Sequence, residues 1–106
     1  MKIYQLSEMV KGWFVGGFTP SALKTDAFEA GLKIYKSGDS EQAHFHQIAT
    51  EITVIASGRV KMCGKEWGAG SIIVLSPGEI TDFTAIEDTH TVVIKVPSVA
   101  DDKYVV

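Results

Sequence analysis

Apolar and polar residues alternate along much of this chain with a period of two. The clearest stretch is 27–36, Ala-Phe-Glu-Ala-Gly-Leu-Lys-Ile-Tyr-Lys. Phe28, Ala30, Leu32 and Ile34 share one face there, and Glu29 and Lys33 share the other. Successive side chains on a strand point to opposite faces, so this stretch is a half-buried strand. Further strands are expected over 3–6, 44–46, 51–56, 59–62, 66–67, 72–75, 80–86 and 91–96. Residues 12–18 are aromatic and β-branched but broken by three glycines, which suits an edge strand or an arm. Turn-forming residues separate the strands: Ser37-Gly38-Asp39-Ser40, Cys63-Gly64-Lys65, Gly68-Ala69-Gly70 and Ser76-Pro77-Gly78. Residues 80–86 and 91–96 read as a hairpin turning around Glu87-Asp88. Pro97 ends it, because proline cannot donate to a strand ladder. No stretch sustains a helical period. Short strands spaced about 8–12 residues apart predict an all-β sandwich or barrel.

The length of 106 residues predicts one domain, divided into an N-terminal arm 1–26, a barrel 27–97 and a C-terminal tail 98–106. The arm carries Trp13, Phe14 and Phe18, which must be buried against the domain's own barrel or a second subunit. Tyr104, Val105 and Val106 equip the tail to dock on a sheet. Charge narrows the partners. The formal net charge is −3, from 10 basic and 13 acidic residues, so neither nucleic acid nor an anionic membrane is an expected partner. Arg59 is the one arginine, which suits the chain poorly to a phosphate-rich ligand. Cys63 is the one cysteine, which excludes an internal disulfide and reads as a free thiol without a role. The first residues are polar and charged where a signal peptide is apolar, so the cytoplasm is the expected compartment.

The candidate chemistry lies between Gly38 and Gly58. His44 and His46 are two residues apart, so on a strand their imidazoles project together. Residues 47–50 are enough to turn the chain, and Glu51 then begins a neighbouring antiparallel strand aimed at the same point. Two imidazoles and a carboxylate suit iron, manganese, nickel, zinc or copper, with other coordination positions left open. Nothing else in the chain resembles a catalytic cluster. His90 reads as a surface residue near a hairpin turn.

The full spacing is Gly38, five residues, His44, one residue, His46, four residues, Glu51, six residues, Gly58. It closely resembles the first motif of the cupin superfamily, with every fixed position filled. The resemblance covers roughly residues 27–97. It implies a double-stranded β-helix, or jelly-roll barrel, in which His44, His46 and Glu51 bind one divalent transition metal. The family's second motif is a glycine, five residues, Pro-x-Gly, two residues and a further histidine ligand. Here Gly70 and Gly78 match, the proline is shifted by one to Pro77, and Thr81 stands where the histidine would be.

Three possibilities follow for the site. Metal binds through His44, His46 and Glu51 alone; or Glu79 or Asp82 adds an oxygen, with only Glu79 on the Thr81 face; or the site is metal-free and a histidine is the acid–base group. The first points to a small metal-dependent enzyme, the last to a sugar isomerase or epimerase. A non-catalytic module binding a metabolite or metal is the further alternative. Thr53, Ile55, Glu79, Thr81 and Phe83 are the expected pocket residues, an apolar lining with hydroxyls that suits a small, weakly charged ligand. The opposite face of the Glu51 strand carries Ile52, Val54 and Ala56. Apolar residues on both faces predict a homodimer formed partly through that sheet.

Overall fold

The computed structural model describes residues 1–106. In chain order the strands are β1 (Trp13–Gly16), β2 (Leu23–Lys24), β3 (Glu29–Tyr35), β4 (Ser40–His46), β5 (Thr50–Ser57) and β6 (Arg59–Met62), followed by β7 (Lys65–Gly68), β8 (Ile72–Leu75), β9 (Thr81–Ala85), β10 (Thr89–Val96) and β11 (Lys103–Val105). They form two sheets, ordered β2-β1-β3-β10-β5-β8 and β11-β4-β9-β6-β7. Every pairing is antiparallel except β1 with β2. This is the all-β, double-stranded β-helix architecture that the alternating pattern and the motif spacing anticipate. No helix is long and apolar enough to cross a membrane.

The core lies between the sheets. Ile55, Val60, Met62, Leu75, Phe83 and Ala85 form one buried cluster, with Tyr35, Trp67 and Ile73 packed against it. Removing a side chain such as Ile55 from water contributes about 1.5–3 kcal/mol. Gly58 shows how tightly the turns are drawn in. It sits at φ +90°, and a Cβ there would lie 2.4 Å from the Asp88 carbonyl oxygen. Only glycine combines that backbone with that approach.

Three local expectations are corrected. Residues 3–5 are not a strand, and a short 3-10 turn follows at Leu6–Glu8. Ile3 and Tyr4 are exposed, with no neighbouring strand to complete a ladder. β9 and β10 are not a hairpin: β9 pairs with β4 and β6, whereas β10 pairs with β3 and β5 in the other sheet. Alternation marks a strand without saying which sheet receives it, and residues 86–88 carry the chain across. For the same reason β4 and β5 are not neighbours but belong to opposite sheets.

The arm and tail both join the barrel. β1 pairs with β3, and β11 pairs with β4. β3 alternates as expected, but its charged face is the one turned inward. Tyr35 on that face packs on Phe83, with ring centroids 4.5 Å apart, while Ile34 on the other face is 63% exposed.

Candidate metal centre

His44 and His46 project from the end of β4, and Glu51 projects from the start of β5 in the facing sheet. All three are buried, and one ligand atom from each lies within 4.8 Å of the others. Imidazole nitrogens and carboxylate oxygens bind such ions at about 2.0–2.2 Å, so a trio this close could share one ion.

Each imidazole is held through its other nitrogen. His44 Nδ1 lies 2.8 Å from the Gln42 carbonyl oxygen, and His46 Nδ1 lies 2.9 Å from that of Asp102. Each Nδ1–H donates to its carbonyl, which turns the Nε2 lone pair inward. His46 Nε2 stands 3.6 Å from Glu51 Oε2, beyond hydrogen-bond reach, and is buried without a partner. A buried ring nitrogen without a partner is costly in a folded protein. A divalent metal satisfies this one directly, so the residues fit the ion. Burial raises the pKa of the Glu51 carboxyl, but His46 chiefly, with Lys95 and His44, holds it below its ordinary value. The carboxylate is therefore in its ligating form.

Asp102 anchors the centre from the tail, a role the sequence did not suggest. Its carboxylate accepts hydrogen bonds from the backbone N–H groups of Gln47, Ile48 and Ala49, the longest at 3.2 Å, and so clamps the turn between the ligand strands. Burial opposes the charge on Asp102, but the amides of Ala49, Ile48 and Gln47, helped by His46, keep its carboxyl below its ordinary pKa. An aspartate far from the ligands in sequence gives no local signal of this contact.

Thr81 pairs with His44 across β9 and β4 and is buried. Its hydroxyl donates to the Asp82 carbonyl and accepts from the Cys63 N–H. It is thus committed to its neighbours, which leaves His44, His46 and Glu51 as the candidate ligands. Glu79 is exposed, with its carboxylate on the Ser76 N–H, and Asp82 is exposed as well. His90 lies on the exposed side of β10, away from the trio.

The expected pocket residues separate in the fold. Thr53 and Ile55 follow Glu51 along the inward face of β5, and Phe83 follows Thr81 along β9; all are buried, with Ile55 and Phe83 in the core cluster. The cavity beside His44 and Glu51, about 270 Å³, is lined by Lys11 and by residues of β1, β3, β4, β5, β10 and β11. It carries Lys11, Lys33, Lys95 and Lys103 against Glu41 and Glu51, with Trp13, Tyr35 and Val93. This lining is charged, unlike the apolar, hydroxyl-bearing one expected from Thr53, Ile55, Glu79, Thr81 and Phe83. β4 and β5 carry the candidate ligands, β5, β6, β8 and β9 carry the core cluster, and Lys11, Lys33, Lys95 and Lys103 reach the cavity from outside both sets.

Trp13 organises this cavity. Gly31 leaves room for it, because a Cβ at Gly31 would lie 2.7 Å from the Trp13 ring. Lys33 Nζ and Lys95 Nζ lie 5.2 Å and 4.9 Å from the ring centroid, within cation–π range. Lys33 Nζ donates to the Lys11 carbonyl, and Lys95 faces Glu29 at 3.6 Å. Burial chiefly, with Lys11, Lys95 and Lys103, pushes the Lys33 pKa down, against the pull of Glu41. Tyr35 OH donates to Glu41 at 3.2 Å. Burial first, and then Glu41, raise its phenol pKa above the ordinary value.

No family model matches the sequence, and no curated protein matches it. Solved structures match the fold. One is an uncharacterised conserved protein with a double-stranded β-helix domain from Klebsiella pneumoniae, at TM-score 0.72 and 18% identity over 98% of this chain and 90% of that one. An RmlC-like cupin from Shewanella frigidimarina gives TM-score 0.65 and 16% identity over 73% and 72% of the two chains. Bacillus subtilis oxalate decarboxylase, described with Mn(II) centres, gives TM-score 0.64 and 13% identity over 77% of this chain and 25% of its own. Likeness at these identities establishes the fold.

Proposed function

We propose that this cupin-fold chain is a small metal-dependent enzyme that binds one divalent transition metal through His44, His46 and Glu51. The observation that carries the reading is the buried, unpartnered His46 Nε2 converging with His44 and Glu51. The Mn(II) centres described for a fold neighbour support it. A metal bound here supplies Lewis acidity to an oxygen-bearing substrate. The chain's own part is to hold the imidazoles in one tautomer through Gln42 and Asp102, and to present the substrate from the Trp13 cavity. Three protein ligands leave coordination positions for that substrate.

Elemental analysis of the protein as purified tests the reading. About one equivalent of iron, manganese, nickel, zinc or copper is expected. No metal after purification, and none gained on reconstitution, would sink it. The second reading is a metal-free isomerase with a histidine as acid–base group, and the specific observation in its favour is the committed Thr81 hydroxyl where the motif expects a fourth ligand. Turnover that survives complete chelation would select it. Stoichiometric metal and ligand binding without turnover over a broad substrate panel would leave a binding module.

A homodimer through the outer face of the six-stranded sheet is part of the proposal. Ile72, Ile34 and Val74 on that face are 66, 63 and 55% exposed, and Ile52 and Val54 are half-buried beside them. Water-facing aliphatic surface of this kind favours a second copy. Light scattering is expected to give twice the 11.5 kDa chain mass, and Ile72→Lys with Val74→Lys is expected to yield monomer. A wild-type monomer at high concentration would remove the dimer and leave the metal reading intact.

A further inference from the structure

We propose that the Trp13 cavity selects a small organic anion, holding its acidic group among Lys33, Lys95 and Lys103 while another oxygen faces the metal centre. The inference rests on the metal-dependent reading and names the substrate class for that site. Four lysines and two glutamates line the cavity, and Glu51 is committed to the ligand trio. A cation held by the trio would add further positive charge. Among the ion pairs of the protein only Lys95 of these lysines has a carboxylate partner, Glu29. Lys11 and Lys103 are exposed, and water accounts for them. Lys33 differs, because it is half-buried and its one hydrogen-bond partner is a backbone carbonyl. A half-buried ammonium group with no carboxylate in ion-pair contact is costly, and an anion entering the cavity supplies that contact. Trp13 holds the Lys33 and Lys95 heads on its ring, so they are preorganised rather than collected by the ligand. A volume of about 270 Å³ limits the guest to a few non-hydrogen atoms beyond its acidic group.

The test is calorimetric titration of the metal-loaded and the chelated protein with two matched pairs: malonate and malonamide, and glycerol 3-phosphate and glycerol. In both forms of the protein an acid is expected to bind about tenfold or more tighter than its neutral partner. The tighter of the two acids identifies the acidic group as carboxylate or phosphate. Lys33→Gln is expected to weaken acid binding about tenfold with metal content unchanged. Lys103→Gln, on the exposed edge strand, is expected to weaken it severalfold, and keeps the test open if the Lys33 variant misfolds. Acids that bind no better than their neutral partners, or an acid affinity indifferent to both substitutions, would overturn the proposal. Absent metal with retained acid preference defeats only the metal reading. One equivalent of metal without acid preference defeats only the anion.

Discussion

If His44, His46 and Glu51 hold a metal as proposed, chelating it from the wild-type protein is expected to lower Tm by about 15 °C or more. An ion held at a thousand times its Kd adds about 4 kcal/mol to the folded state, provided the unfolded chain binds it weakly. In a domain near this size each kcal/mol moves Tm by about 4–8 °C. The chelated protein is expected to keep its fold but to carry a defect at the centre: His46 Nε2, buried and without a partner. His46→Ala removes that defect together with one ligand. Its Tm is therefore expected to be the same with and without chelator, and its metal content to fall well below one equivalent. Calorimetric scans of both proteins, with and without chelator, read all four values. A wild-type Tm indifferent to chelation and to added metal would contradict the centre.

Asp102→Ala is expected to destabilise the metal-free protein by about 3 kcal/mol and to weaken metal binding about 10–100-fold. The stability loss comes from the turn between β4 and β5. The N–H groups of Gln47, Ile48 and Ala49 all donate to this carboxylate, and Ala49 is 2% exposed, so water cannot replace the partner there. The affinity loss has a different origin. Asp102 still has its carbonyl in the variant, so His46 Nδ1 keeps an acceptor but loses the anchor that fixed its position. Asp102→Asn keeps one accepting oxygen and is expected to fall between the two. Urea unfolding of the chelated proteins reads the first effect, and competition with a chromophoric chelator reads the second. An alanine variant with wild-type stability and metal affinity would show that the tail is a passive appendage.

Local pattern reaches some of these features and misses others for identifiable reasons. The strand at 72–75 is recovered at its observed bounds, because a short apolar run between turn residues has few other uses. Alternation in 27–36 marks β3 but not which face turns inward. An apolar face and a charged face look the same to a period of two, and here the charged one lines the cavity. Residues 3–6 show the reverse error, where strand-forming side chains have no partner strand.

The site divides the same way. Its three candidate ligands lie within eight residues of one another, so their spacing alone brought His44, His46 and Glu51 together, and with them the cupin resemblance and the all-β barrel. Apart from Glu41 and Gln42 on the same strand, the groups around the trio come from elsewhere in the chain. Trp13 arrives from the arm, Lys33 from β3, Lys95 from β10, and Lys103 with Asp102 from the tail. Sheet membership is a long-range choice that periodicity does not encode, which is why β4 and β5 were expected side by side and instead face each other. Sequence by itself determined a trio with an open side next to Thr81. The packing of two sheets decided that the Thr81 hydroxyl is already committed, and that the open side is a lysine-lined cavity over Trp13.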